Sequence, residues 1–118
     1  KIPNIKISTL KTEMEKNNID FIDLLCLDVQ GYELNVLKGA RDKIKNIKYI
    51  IMEQPRGVNQ GNTNKVEKID NLEHPYIGSP NLEEINYFMK ENNFEKILSK
   101  QENLLEDNCL YINKLYKI

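Results

Sequence analysis

Residues 21–27, FIDLLCL, form a nearly unbroken apolar run, and the pattern just beyond that run restricts the fold more than any other feature of the chain. The run ends at Asp28. Beyond Gly31 the apolar residues switch to helical spacing, at Leu34, Leu37 and Ala40, with Ile44 four further on. Gly39 interrupts this pattern and is placed to close the first helical segment. Residues 47–53, IKYIIME, are a second apolar, β-branched run, stopped by Pro55. Strand, helix, strand in that order is the βαβ unit of a parallel sheet. Continuous apolar character also suits a central strand covered on both faces better than an edge strand. Asp23, the one polar insertion, falls near the start of the run, where solvent is closest.

The flanks fill in around this unit. Residues 5–10, IKISTL, alternate and read as a short half-exposed strand, after which Ser8 or Thr9 caps a short helix ended by Asn17-Asn18. Residues 54–80 have no periodicity and contain Pro, Gly and Asn throughout, which marks a long loop, of a length expected of a disordered segment, a lid or a binding segment. NLEEINYFMKENN then places Leu82, Ile85, Phe88 and Met89 on one helical face, with Asn81 as N-cap and Asn92-Asn93 at the end. Phe94–Leu98 and Cys109–Leu115 read as two strands, antiparallel because a short polar turn separates them. The fold class expected is α/β. It combines parallel strands at 22–28 and 47–53 with a helix and an antiparallel strand pair, in one unit over residues 1–118.

Composition removes several function classes. With 17 basic and 18 acidic residues the net charge is -1, so the basic surplus of a general nucleic-acid binder is missing. No apolar run approaches the roughly 18 residues that span a bilayer, and a membrane partner is not expected. The single histidine, His74, excludes mechanisms built on several histidines and reads as a surface residue of the loop. Cys26 and Cys109 each lie in an apolar stretch and read as buried thiols of a reducing, cytoplasmic compartment. No G-x-x-x-x-G-K stands near Gly31, against a phosphate-binding enzyme. The opening Lys1-Ile-Pro has the look of mid-protein sequence, so an excerpt or processed product is expected.

Both central strands end in an acid, Asp28 and Glu53. In an open parallel sheet, ligands bind beyond the carboxyl ends of the strands. Two acids there can bind a divalent cation, orient a hydroxyl or act as general base. Simpler roles compete: Asp28 can cap the following helix, and Glu33 can answer the helix dipole in its first turn. Glu53 has no such alternative, since a loop comes after it.

The stretch IDFIDLLCLDVQGYELNVLKGA resembles the signature of FkbM-family methyltransferases: an apolar strand, then Asp-Val-Gln-Gly-x-Glu, then Val-Leu-Lys-Gly-Ala. The upstream Ser-Thr-Leu, the IIMEQ strand, the amphipathic helix before Phe94 and the closing NCLYINK are similar as well. Asn93 stands where the family usually has Gly, a substitution that still tolerates the left-handed conformation. The resemblance implies S-adenosylmethionine-dependent methyl transfer to a hydroxyl of a sugar, polyketide or similar small-molecule or glycan acceptor. It implies a Rossmann-like sheet of which this chain supplies about the fourth to seventh strands, the C-terminal half. No G-x-G occurs, so the cofactor would be held mainly by residues absent from this chain, and the chain alone would be inactive. Under the same resemblance Asp28 and Glu53 are the catalytic candidates. Asp28, Val29, Gln30 and Gly31 would border the cofactor, and Tyr32, Glu33, Arg56 and Tyr76 would meet the acceptor. The rival expectation is a non-enzymatic α/β binding or assembly module that self-associates through the exposed sheet edge at 22–28.

Overall fold

The computed structural model describes residues 7–56 and 81–117. Its first element is a helix, α1 (Leu10–Lys16), and not the strand expected over 5–10. The described part of that stretch, Ile7 to Thr9, is irregular. Thr9 explains why: its hydroxyl accepts from the Thr12 amide at 3.1 Å, and such a local bond commits the backbone to a helix start. Asn17 ends the helix, its side-chain amide donating to the Glu13 carbonyl at 2.8 Å.

The strand–helix–strand unit comes next as β1 (Ile22–Leu27), α2 (Glu33–Lys38), a 3-10 turn (Arg41–Asn46) and β2 (Ile47–Pro55). The helical stretch after Gly31 is thus two short pieces. Gly39 lies between them at φ -68, so its use is not a left-handed turn. A Cβ there would meet the Val36 carbonyl oxygen at 3.2 Å and Thr9 Cβ at 3.4 Å. The absent side chain lets α1 approach α2, and the Lys11 amide bonds the Gly39 carbonyl at 3.1 Å.

Beyond residue 80 come α3 (Leu82–Glu91), β3 (Phe94–Gln101) and β4 (Glu106–Asn113). A full capping box starts α3: the Glu84 amide donates to Asn81 Oδ1 at 2.9 Å, and the Asn81 amide to Glu84 Oε1 at 3.2 Å. Asn93 turns the chain with φ 66, the left-handed conformation expected of it.

The four strands form one sheet in the order β1-β2-β4-β3. β1 and β2 are parallel, and β4 runs antiparallel to both β2 and β3. This mixed α/β sheet is the architecture expected, in part of a methyltransferase fold, with two corrections. Among the described residues β1 pairs only with β2, so it takes the exposed edge expected of a half sheet, and it is not covered on both faces as its apolar run suggested. One face of it is covered: Leu27 joins Ile50, Met52, Cys109 and Tyr111 in a core with Leu34 and Leu37 of α2 and Ile85 and Met89 of α3. On the other face Leu24 is 48% exposed and Cys26 is exposed, which overturns the reading of Cys26 as buried. Cys109 is buried as expected. The second correction is that Gln54 and Pro55 belong to β2 and not to the loop.

Candidate functional site

The parallel register, Leu27 beside Met52, brings the carboxyl ends of β1 and β2 together and sets Asp28 next to Glu53. Between Asp28 and α2 the chain makes a tight turn in which Gln30 (φ 53) and Gly31 (φ 98) are both left-handed. One side chain holds that turn. Glu33 is 4% exposed, and its two carboxylate oxygens accept from the Val29 amide at 3.1 Å and the Gly31 amide at 3.0 Å. Charge-assisted bonds of this kind are about twice as strong as neutral ones, which offsets burial of the acid. Glu33 therefore does more than answer the helix dipole.

Asp28 does not cap α2. The N-cap position is Tyr32, without a side-chain bond. Asp28 instead accepts from Gln30 Nε2 at 3.0 Å, on the exposed rim of the turn. Val29 is 37% exposed on the same rim. Tyr32 is 64% exposed and lines a cleft of about 430 Å³ with Thr9, Leu10, Val36 and Gly39, to which none of the strand-end acids contributes.

Glu53 carries the most perturbed carboxyl of the site, pushed up from 4.5 to about 7. Burial is the largest cause, followed by the charge of Glu106, then that of Asp28, a hydrogen bond with Glu106, and the charge of Glu33. Glu106 escapes sequence reasoning because it precedes the apolar part of its strand and reads as turn. The antiparallel register pairs Pro55 with Glu106 and Glu53 with Asn108, so Glu53 and Glu106 are diagonal neighbours on one face. Alternation back from Ile112 and Leu110 through Asn108 to Glu106 was the available signal.

The opposite face of the same strand ends holds a different network. Tyr111 donates to Gln54 Oε1 at 2.5 Å, and burial pushes the phenol well above its usual range. Arg56, expected to contact an acceptor, lies 3.3 Å from Asp107, with both side chains buried. The structure thus brings Asp28, Glu33 and Glu53 together, directs Arg56 to Asp107, and leaves Tyr32 on a separate cleft. Tyr76 and His74, with the rest of the expected lid from residue 57 to 80, lie outside the described residues.

Residues 1–96 match the Methyltransferase FkbM domain family. The chain belongs to that family. Neither the curated proteins nor the solved structures compared with it give a match. The matched span takes in α1 through the start of β3. It therefore covers Asp28, Glu33 and Glu53 of this FkbM domain, while β4 with Glu106 lies beyond it. Methyl transfer is the family's chemistry, and S-adenosylmethionine the methyl donor it generally implies. Among the described residues no three His, Cys, Asp or Glu side chains are grouped to hold a metal ion.

Proposed function

We propose that this chain forms the acceptor side of an S-adenosylmethionine-dependent O-methyltransferase acting on a hydroxyl of a sugar, polyketide or similar acceptor. One observation carries the reading: within an FkbM domain, two acids from separate parallel strands meet at the sheet's carboxyl end, and one of them holds its proton to about pH 7. The residues fit the cofactor on one side only. The turn from Asp28 to Gly31 offers an exposed acid and a rim of backbone, but the chain has no G-x-G for the other side. Residues outside these 118 would supply it.

When bound, S-adenosylmethionine supplies an electrophilic methyl group on a sulfonium. What the chain contributes is alignment and proton removal. Glu53, once ionised, is a base matched to neutral pH and takes the proton of the acceptor hydroxyl at a carboxylate oxygen. Asp28, oriented by Gln30, fixes the hydroxyl on the cofactor side. Glu33 keeps the turn in shape. No helix of the described residues is long and apolar enough to cross a membrane. Two free cysteines suit the cytoplasmic location we propose.

The test is calorimetric titration of S-adenosylhomocysteine into the 118-residue chain and into a form extended upstream by native sequence. Binding by the extended form, lost or weakened at least tenfold in Asp28→Asn, is expected. No binding by either form would sink the proposal.

A second reading has its own support. Among the described residues β1 presents an open edge with Leu24 and Cys26 exposed, which favours self-association of an assembly module through that strand. Size-exclusion chromatography giving a dimer that Leu24→Lys dissociates would favour it. A clean monomer would count against it.

A further inference from the structure

Gly39 has a φ of -68 that any residue adopts, so what a glycine provides there is space. Part of that space admits α1. The rest belongs to the cleft of about 430 Å³ that Gly39 lines with Leu10, Tyr32 and Val36. This volume lies within the range of about 300–1,000 Å³ usual for small-molecule sites. The cleft runs along α2, from Tyr32 at its N-terminal end to Gly39 just past its C-terminal end. Bonds within the chain fix its walls. The Lys11 amide holds the Gly39 carbonyl at 3.1 Å and Lys11 Nζ meets Asp42 at 2.8 Å, which ties α1 to α2 and to the 3-10 turn. The Tyr32 amide donates to the Val29 carbonyl at 3.3 Å, and this bond joins the near end of the cleft to the rim that carries Asp28 and Val29.

The lining decides what can enter. On the α1 side the Ser8 hydroxyl donates to Glu13 at 2.7 Å. The Thr9 hydroxyl donates to the Thr12 hydroxyl at 2.9 Å while it accepts from the Thr12 amide at 3.1 Å. These polar groups are engaged within the chain itself. A sugar seated here would bury hydroxyls without partners, and each such group carries a full desolvation penalty. Leu10, Val36 and the exposed ring of Tyr32 instead offer apolar surface to a flat ring. Among the described residues Glu13 is the one charged group of the lining, and it repels an anion. Asn35, exposed at the edge, is placed to meet one polar substituent.

We propose that this cleft seats the body of the acceptor, and that the body is an uncharged, flat apolar ring system and not a sugar. The ring lies against Tyr32 and Val36, and the hydroxyl to be methylated extends past Val29 toward Asp28 and Glu53. A body held at a distance from the reacting atoms aligns the hydroxyl without crowding it. The inference rests on the proposed function for the fate of that hydroxyl, whereas the preference of the cleft for an uncharged ring does not.

The experiment is an NMR titration of the isotope-labelled 118-residue chain with 2-naphthol, an uncharged flat ring that carries one hydroxyl. Saturable shifts of the Leu10, Tyr32, Val36 and Gly39 amides are expected. A sulfonated 2-naphthol should bind about tenfold more weakly because of Glu13, and methyl glucoside should leave those amides unmoved. Tyr32→Ala should weaken 2-naphthol about fivefold, and Val36→Phe, which fills the cleft, should abolish the shifts. Tyr32 is 64% exposed, so its variant keeps the test open if Val36→Phe fails to fold. Absence of shifts at these amides would overturn the proposal. So would glucoside or sulfonate binding as tight as that of 2-naphthol, or indifference to Tyr32→Ala. Displacement of 2-naphthol by adenosine would give the cleft to the cofactor and overturn it as well. 2-Naphthol in the cleft without S-adenosylhomocysteine binding by the upstream-extended chain would count against the functional reading alone. S-adenosylhomocysteine binding without 2-naphthol in the cleft would count against this inference alone.

Discussion

Replacing Glu53 by Gln should stabilise the protein, and should do so only above the pH at which the wild-type carboxyl gives up its proton. The folded state holds that proton to about 7 against an ordinary value of 4.5. The folded chain therefore binds more protons than the unfolded one between these two values, and wild-type stability must fall as pH rises through that window. Below about 4.5 both states are protonated and the effect is absent. Above about 7 it is complete. By linkage, a displacement of this size corresponds to at most on the order of 3 kcal/mol, and solvent screening of a partly exposed carboxyl reduces it to on the order of 1 kcal/mol, spread over burial and the charges of Glu106, Asp28 and Glu33. Gln keeps the shape, carries no charge and offers an amide donor to Glu106. Urea unfolding at pH 5 and at pH 8.5 measures the difference directly. The variant should gain on the order of 1 kcal/mol relative to wild type at the higher pH and little at the lower. A wild-type stability that is flat across the window, or a variant equally affected at both pH values, would refute the reasoning. A gain in stability that comes with loss of the base would also mark the site as one where function outweighs stability.

Two further substitutions test how the scaffold is held. Glu33→Ala removes the acceptor of the Val29 and Gly31 amides and should cost about 2–4 kcal/mol in urea unfolding; a loss under about 0.5 kcal/mol would mean that the turn holds its shape without it. Asn93→Ala makes a residue with a Cβ, but without the local bonding that suits Asn, keep φ 66. It should cost about 1 kcal/mol, whereas Asn93→Gly should cost nothing, and equal thermal midpoints for the two variants would contradict the left-handed turn.

The parts of this fold that show in the sequence are those set by local periodicity and capping. β1, β2 and α3 come from apolar spacing, and Asn81 with Glu84 marks a helix start that side chains alone determine. Asn93 likewise reveals its conformation because few residue types tolerate it. The hidden parts depend on neighbours remote in the chain. FIDLLCL is apolar enough for a strand covered on both faces, and no local pattern says that one face of β1 leaves Leu24 and Cys26 exposed; its edge position follows only from the resemblance to part of a larger sheet. The start of β4 is hidden for the opposite reason. Glu106 and Asp107 read as turn residues, yet both are buried, because Asn103, Arg56 and Glu53 are there to receive them. Asp28 and Glu53 were legible as strand-end acids; the partner that shapes the proton affinity of Glu53 was not.

The topology makes that partner intelligible. Parallel pairing sends the ends of β1 and β2 to the same edge of the sheet, which gathers Asp28 and Glu53. An antiparallel strand next to β2 arrives at that edge with its beginning instead of its end. The order β1-β2-β4-β3 puts β4 in that place, so the first residue of the closing strand, Glu106, falls opposite Pro55 and diagonally across from Glu53, the seventh residue of β2. β3 runs the other way: its beginning at Phe94 pairs with Asn113, at the far edge of the sheet. Had β3 kept that direction in the inner position, its first residue would lie a full strand length from Glu53. The hairpin's reversed order is thus what carries an acid from the last strand to the site.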